Sequence, residues 1–248
     1  MKSSNTRNKI IYVLSILSIV AIWAIMYKIE NQDLIVPSIK STIYAVMSII
    51  QKPVFISGVL ATIFKALIAF LIAFIAGIIV GILGGLSKKI ETFLEPYILI
   101  LKTLPFAAIV ILIIIWFNTN SVPIVVSLML CFPVVYENIL NGMKNISKEL
   151  LEFSTVHKIK LNKVLKYIYI PGIKGYILSA IDSTLLLTLK IVINAEILCS
   201  PKIGIGTMLY ESKMYLETAE VFAWIIIILI ISFVLDFLWR MCKKWILN

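Results

Sequence analysis

The chain has 248 residues, of which 61% are hydrophobic and only 15% charged, and its mean hydropathy is +1.04. These values exclude a soluble domain, because about half of the residues of such a domain must face water. The formal charge of +10 does not indicate nucleic-acid binding, since the basic residues lie in segments between apolar runs.

Six apolar runs are each long enough to cross a membrane, because a spanning helix needs about 20 apolar residues. They cover residues 10–27, 57–86, 96–117, 121–143, 174–199 and 219–240. The first run follows a basic leader and carries no small-residue cleavage site, so we expect a retained anchor. Pro105 and Pro133 fall inside runs and predict kinks, whereas Pro171 falls in a connection. The sequence therefore predicts an all-α polytopic membrane protein with one domain over residues 1–248.

The second run carries a small residue at every fourth position, namely Ala69, Ala73, Gly77, Gly81 and Gly85. These positions share one helix face, and small residues at this spacing let helices approach closely in lipid. We expect this face to contact another helix of the bundle. Lys65, in the same run, is expected to snorkel or to belong to an amphipathic entry to the helix.

The distribution of Lys and Arg predicts the orientation of the chain. The N-terminus, the C-terminal segment from Arg240, 87–91 and 144–174 together hold 15 of these residues, whereas the alternate segments 28–56, 118–120 and 200–218 hold 5. By the positive-inside rule the first set is cytoplasmic. Both termini therefore lie inside, and residues 144–174 form the largest cytoplasmic loop.

The 144–174 loop has helical texture of its own. Leu150, Phe153 and Val156 recur at a spacing of three, and Asn162 is placed to cap a second short helix that ends at Ile170. Two readings fit such amphipathic helices. They lie on anionic lipid, held there by lysines, or they form a docking surface for a soluble partner.

Polar residues inside the spans are functional candidates, because charges are costly in lipid. Glu137 lies in the fourth run, and the fifth run holds Asp182, Lys190, Asn194 and Glu196. At 100° per residue, Lys190 and Asn194 lie about 40° apart, as do Asp182 and Glu196. This polar arc fits either a solvated pathway or buried pairs that join two helices. Asp236 has Arg240 at i+4, a structural pattern.

Several kinds of chemistry find no support in the sequence. Cys131, Cys199 and Cys242 stand far apart and His157 is the sole histidine, so neither a disulfide framework nor a metal site is expected. No GxxxxGK[ST] phosphate loop occurs, so ATP must be hydrolysed elsewhere if it is used. Gly204 and Gly206 predict a tight turn. We expect no cofactor on this chain.

The stretch from Glu152 to Pro171 resembles the EAA loop of ABC-importer permeases, in which a Glu and two small residues precede a Gly, an apolar helix and a Pro. Phe153 and Ser154 stand where small residues are usual, and Lys158 stands in place of the Gly. The flanks are similar to the subfamily that imports nitrate, sulfonates, taurine and pyrimidine thiamine precursors. The similar segments are LIVPSIKSTIYAV (34–46), GVLATIFKALIAFLIAFIAGIIVGILGGLSKKIETFLEPYI (58–98), KTLPFAAIVILIIIWF (102–117) and AEILCSPKIGIGTML (195–209).

The resemblance covers about residues 34–240 and implies a type I ABC-importer permease with six transmembrane helices. Such a subunit sits in the bacterial plasma membrane as a pair, expected here to be a homodimer. Two ATPase subunits bind ATP below it, and a solute-binding protein delivers a small anionic or polar solute from outside. The chain itself is then not an enzyme.

The resemblance also implies roles for particular residues. In the 144–174 loop, coupling to the ATPase is expected of Glu152, Val156, Ile159 and Pro171. The pathway candidates are Lys190, Asn194, Glu196, Asp182 and Glu137. If the solute is an anion, Lys190 would attract it, while Glu196 would orient a gate or pair with a neighbouring helix.

Two rival classes stay open at this point. A self-sufficient secondary transporter or channel would also be helical with a polar interior, but its inverted halves or matching broken helices are not evident. An intramembrane enzyme would need a nucleophile and base or a metal cluster within the bilayer. Co-purification of an ATPase, ion-driven flux by this chain alone, and turnover in detergent separate the three.

Overall fold

The computed structural model describes residues 2–30 and 32–247, and every regular element within these ranges is helical. A single turn of π-helix, Leu165–Tyr169, joins α8 to α9. The α-helices are α1 (Lys2–Glu30), α2 (Ile39–Gln51), α3 (Val54–Leu86), α4 (Lys88–Thr103), α5 (Phe106–Trp116), α6 (Val122–Lys144), α7 (Lys148–Val156), α8 (Leu161–Val164), α9 (Ile170–Cys199), α10 (Ile205–Met214) and α11 (Thr218–Leu247).

The chain divides into two compact units. The first comprises the chain up to Ile56 together with Met208–Ile231, and the second comprises Ser57–Thr207 together with the chain from Ser232. In the first unit the indole of Trp23 donates to the carbonyl of Pro37 at 3.0 Å and packs on Phe222 with ring centroids 5.5 Å apart. These contacts join α1 to α11 and to the segment that enters α2.

In the second unit α6 and α9 form an extensive helix pair. Val135 and Ile139 of α6 pack with Ala180 of α9, and the thiol of Cys131 lies 3.1 Å from the hydroxyl of Thr188. A further apolar cluster adds one face of α5 through Ile109, Val110 and Ile113. This α6–α9 pair is the framework on which the polar residues of α9 are displayed.

The small residues of α3 pack against α6, as the sequence predicts. A methyl group added to Gly77 would lie 2.6 Å from the Cβ atom of Val135, and one added to Gly81 would lie 2.8 Å from that of Ile139. Gly85 meets Met143 in the same way. Side chains four residues apart on α6 thus fill the gaps left by glycines four residues apart on α3, which brings the two backbones close together.

Four helical stretches are long and apolar enough to cross a membrane: Val54–Leu86, Val122–Lys144, Leu161–Cys199 and Thr218–Ile246. The pair α4 and α5 adds a fifth if the two helices are counted as one span. The first predicted run, 10–27, lies within α1, several of whose side chains fall outside what the structure describes. The chain is therefore a multi-pass membrane protein by these helices, and the count of six spans stays a prediction.

The third predicted run, 96–117, is not one straight helix. The chain bends by 102° between α4 and α5. Pro105 is the N-cap of α5, and Leu104 before it is extended, with φ −64° and ψ 130°. A residue before proline avoids the helical conformation, which turns the expected kink into a break. Pro133, by contrast, lies inside a continuous α6.

The 144–174 loop matches the prediction in its first half and departs from it in its second. Ser147 caps α7, whose bounds contain the predicted apolar spacing. The second short helix starts at Leu161 after Lys160, not after Asn162, and the helical stretch continues through Pro171 to Cys199. The prediction that the second short helix ends before Pro171 is wrong. The hydrogen-bonded rings of the preceding π-turn are wider than those of an α-helix and accommodate a residue without an N–H group.

Candidate functional site

The polar residues of α9 separate onto two faces. Lys190 and Asn194 are exposed on a face that also carries Ser179 and Ser183, all within about 60° around the helix. Neither Lys190 nor Asn194 makes an ion pair or a side-chain hydrogen bond within the described part of the chain. We call these four residues the α9 polar face. Of the predicted pathway residues, Lys190 and Asn194 are therefore the two that remain available.

The other predicted pathway residues each have a partner inside the second unit. Asp182 accepts hydrogen bonds from the indole of Trp239 and from the ammonium group of Lys243, which joins α9 to α11. Glu137 of α6 forms an ion pair of 2.7 Å with Lys102 of α4, and both side chains are nearly half exposed. Both contacts join two helices, which is one of the two roles that the sequence left open for these residues.

Glu196 lies at the centre of a buried cluster that joins three helices. Its side chain is fully buried, and the ammonium group of Lys65 donates to it at 2.8 Å. It also accepts hydrogen bonds from the hydroxyl of Thr62 at 2.8 Å and from the backbone N–H of Gly206 at 3.0 Å. Thr62 and Lys65 belong to α3, Glu196 to α9 and Gly206 to α10. We call these four residues the Glu196 cluster.

The expectation that Lys65 snorkels is wrong. The residue is only 8% exposed, and its ammonium group also donates to the carbonyl of Ile203 at 2.8 Å. A lysine this deeply buried needs paired acceptors, and the carboxylate of Glu196 supplies the counter-charge. Both charged residues are visible in the sequence, but they are 131 residues apart and no spacing rule connects them.

Gly204 and Gly206 are required by close approach. Neither has a positive φ, and the left-handed residue of this turn is Ser200, with φ 42°. A Cβ atom on Gly204 would overlap the carboxylate of Glu196, and one on Gly206 would lie 2.6 Å from its Cβ atom. The Gly-x-Gly pattern thus makes room for a buried carboxylate beside the first turn of α10.

On α7, the structure turns the predicted apolar residues outward. Leu150, Phe153 and Val156 are 50%, 54% and 77% exposed, whereas Leu151 packs toward the core and Ser154 is buried. Among the predicted coupling residues, Glu152 and Pro171 are exposed and Ile159 is half-buried. The exposed apolar residues of α7 and the carboxylate of Glu152 form what we call the α7 face.

The two ends of α7 differ in backbone strain and in charge. Lys158, which stands where the resembled motif has glycine, adopts φ 50° in the left-handed region that L-residues disfavour. At the other end of α7 the hydroxyl of Ser147 donates to Glu149 and holds the pKa of that carboxyl below its usual range. An ionised acidic residue in the first turn complements the helix dipole.

The first unit contains a polar cleft that the sequence did not indicate. Lys52 and Glu220 form an ion pair of 2.6 Å, and Ser212 donates to Glu220 at 3.0 Å. The cleft measures about 280 Å³ and is also lined by Glu211 and Glu217. The charge of Glu220 raises the pKa of Glu217 above its ordinary value. Within the described residues no group of His, Cys, Asp and Glu side chains is arranged to hold a metal ion.

Comparison with known proteins identifies the class. The family described as binding-protein-dependent transport system inner membrane component matches residues 73–247. The chain belongs to this family of permeases. A relative assigned as the aliphatic sulfonates transport permease protein SsuC of Bacillus subtilis (strain 168) is 27% identical over 189 residues, which is 75% of this chain and 68% of the relative. The SsuC of Escherichia coli (strain K12) is 32% identical over 187 residues, 73% of this chain and 70% of the relative.

Solved structures of ABC transporters share the fold of the permease. An inward-facing MetNI methionine ABC transporter matches 77% of this chain and 95% of its own, with a TM-score of 0.66 and 15% identity. An amino acid ABC transporter solved with histidines matches 77% of this chain and 94% of its own, with a TM-score of 0.64 and 17% identity. The chain is thus an ABC-importer permease subunit, not a catalyst, and works within a binding-protein-dependent system. The rival classes are set aside by this membership.

Proposed function

We propose that two copies of this permease form the pathway of an importer for small organic anions of the sulfonate class. Both relatives described above carry a name that refers to aliphatic sulfonates. Lys190 supplies the positive charge at the place where the solute would pass.

The availability of the α9 polar face carries the proposal. An unpaired lysine facing lipid costs about 2.5 to 3.5 kcal/mol on insertion scales, so this face must meet water or another protein. Lys190 and Asn194 have free hydrogen-bond donors there. A sulfonate presents three acceptor oxygens and one negative charge, which an ammonium and an amide group complement. A second copy facing this one would double the set.

Lys190 and Asn194 are the preferred pathway residues for a physical reason. Asp182, Glu137 and Glu196 each have a basic partner within the chain, so a passing solute would have to compete with an existing ion pair. We propose that these three carboxylates hold helices together. Negative charges already neutralised by a lysine would also repel an anion less.

Energy enters through the 144–174 loop. Two ATPase subunits bind ATP and close, and the α7 face transmits that motion through Glu152 and Val156. Ile159 beyond α7 and Pro171 at the base of α9 complete the contact. The helices then open toward the outside, where segments 28–56 and 200–218 meet the solute-binding protein. Hydrolysis resets the pair. On this proposal residues 1–248 act as one permease domain in the bacterial plasma membrane.

The test replaces Lys190 with Met, which keeps most of the length and removes the charge. Uptake of radiolabelled ethanesulfonate by cells that express the whole importer should fall about tenfold or more, the loss expected of one charge-assisted hydrogen bond. ATPase recovery and thermal stability should stay at wild-type values. Lys89→Met removes an equal charge from an exposed position of α4 and should change uptake less than twofold.

Four outcomes speak against the proposal. Normal uptake by Lys190→Met rejects the pathway role of this residue, and an equal fall in Lys89→Met reduces it to a general field effect. Loss of ATPase recovery together with uptake would instead support a pairing role for Lys190 in assembly. Failure of the wild-type importer to accumulate any sulfonate rejects the substrate class.

A further inference from the structure

We infer that Lys65 and Glu196 are positioning residues, whose buried ion pair fixes the rotation of the C-terminal end of α9 and so holds the α9 polar face away from α3. Its consequence for uptake rests on the proposed function, whereas the rotation itself does not. Neither residue is expected to touch the solute, because Glu196 is fully buried and Lys65 is 8% exposed.

The contacts of the Glu196 cluster determine which side of α9 faces α3. Thr62 and Lys65 lie three residues apart on α3 and both reach the carboxylate of Glu196. Glu196 is about 120° around α9 from Lys190 and about 160° from Asn194, at 100° per residue. A clamp on this side of α9 therefore determines where the opposite side points. Asn194 is only two residues away along the helix, so little twist can accumulate between the clamp and the polar face.

A second set of bonds fixes the segment that follows α9. The N–H of Ile205 donates to the hydroxyl of Thr62 at 2.8 Å, and that of Gly206 donates to Glu196 at 3.0 Å. Lys65 reaches the carbonyl of Ile203. The end of α9, the turn and the start of α10 are thus held to two side chains of α3 one helical turn apart. Rotation of α9 would break these bonds together.

An ion pair suits this task better than an apolar contact. Removing both charges from water is costly, so such a pair adds little net stability compared with well-packed apolar side chains. Apolar side chains, however, tolerate small rotations and slips, whereas hydrogen bonds to a charged group are directional. If α9 turned, the ammonium and carboxylate groups would be left unpaired in an apolar interior. The ion pair therefore raises the free energy of other rotations of α9 more than it lowers the free energy of the native rotation.

The rotation can be measured without any transport. A single cysteine is introduced by Asn194→Cys in a chain whose native cysteines are replaced, and its rate of reaction with a water-soluble maleimide is followed in detergent-purified complex. With Lys65 in place the rate should be that of an exposed thiol. Lys65→Met should slow it at least fivefold as the α9 polar face turns toward packed side chains, and Lys65→Arg should restore it to within twofold, because the guanidinium keeps charge and donors.

Lys102→Met is the matched control. It removes one lysine from the ion pair with Glu137, which lies on α4 and α6 and is nearly half exposed. The labelling rate at position 194 should then change less than twofold. An equal slowing in this control would show general loosening of the bundle and would overturn the positioning role.

A second variant tests the same contact if Lys65→Met does not fold. If Lys65→Met cannot be purified, Thr62→Val keeps both charges, removes the hydroxyl that bridges Glu196 and Ile205, and should slow labelling at least twofold. Unchanged labelling in whichever of these folded variants is obtained overturns the inference. Slowed labelling with unchanged ethanesulfonate uptake would support the positioning role and reject the pathway role of the α9 polar face.

Discussion

At the scale of single residues, one buried carboxylate determines what stands near it. The buried carboxylate of Glu196 is neutralised by the ammonium group of Lys65 and accepts a hydrogen bond from Thr62. Only glycine at positions 204 and 206 leaves room for it. A Gly-x-Gly pattern in a loop suggests a turn, yet these glycines have ordinary φ values. Their small size matters more than their flexibility.

Replacing Gly204 with Ala should therefore destabilise the permease. The added methyl group overlaps the carboxylate of Glu196 and forces it from its donors, at a cost of about 1 to 3 kcal/mol in the free energy of unfolding. Gly175→Ala is the control, because no atom lies within 4 Å of the added methyl group and the site is inside α9. That variant should gain about 0.5 to 1 kcal/mol. Thermal unfolding in detergent distinguishes the two, and equal midpoints would contradict the close-approach account.

At the scale of elements, α7 is an amphipathic helix whose apolar side is left uncovered by the described part of the chain. Leu151 and Ser154 attach it to the core, while Phe153 and Val156 face outward. A surface of this kind on a cytoplasmic loop would meet lipid or a protein. The two partners differ in their need for the carboxylate of Glu152, since an acidic residue would oppose binding to anionic lipid.

Docking to the ATPase predicts that both kinds of residue on the α7 face matter. Val156→Ser should lower ATPase recovery on the tagged permease about tenfold, because a fully buried valine contributes about 1.5 kcal/mol or more. Glu152→Lys should weaken assembly or uncouple hydrolysis from uptake. Thr155→Ala removes a small exposed side chain about 100° around α7 from Val156 and should leave recovery unchanged. Wild-type recovery and uptake in Val156→Ser and Glu152→Lys would leave membrane attachment as the role of the loop.

Patterns that depend on neighbours along the chain were predictable, and contacts between distant residues were not. The small-residue spacing of α3 and the apolar spacing of α7 are local periodicities, and the structure contains both. Apolar residues lie on both sides of Leu104 and Pro105, so hydropathy could not distinguish a kink from the 102° bend. The pairing of Lys65 with Glu196 depends on how α3 meets α9. A single sequence contains no signal for such a pair.

At the scale of the whole molecule, orientation decides whether these features have the roles proposed. The α7 face can meet an ATPase only if the 144–174 loop is cytoplasmic, and the α9–α10 turn can meet a solute-binding protein only if it lies outside. Membership of the permease family does not fix which end of each helix faces which side. The excess of 15 basic residues over 5 in alternate segments is the physical argument for the inside.

Single-cysteine labelling tests this orientation directly. Asn145→Cys and Lys213→Cys, each in a chain without Cys131, Cys199 and Cys242, place a thiol at an exposed position in the 144–174 loop and in α10. In intact cells an impermeant maleimide should react at position 213 and not at 145, and permeabilised cells should react at both. The permeabilised sample also controls for thiols that are simply inaccessible. Reaction at position 145 in intact cells would show that the chain has the opposite orientation. The α7 face would then lie outside, where an ATPase that uses cytoplasmic ATP could not bind it.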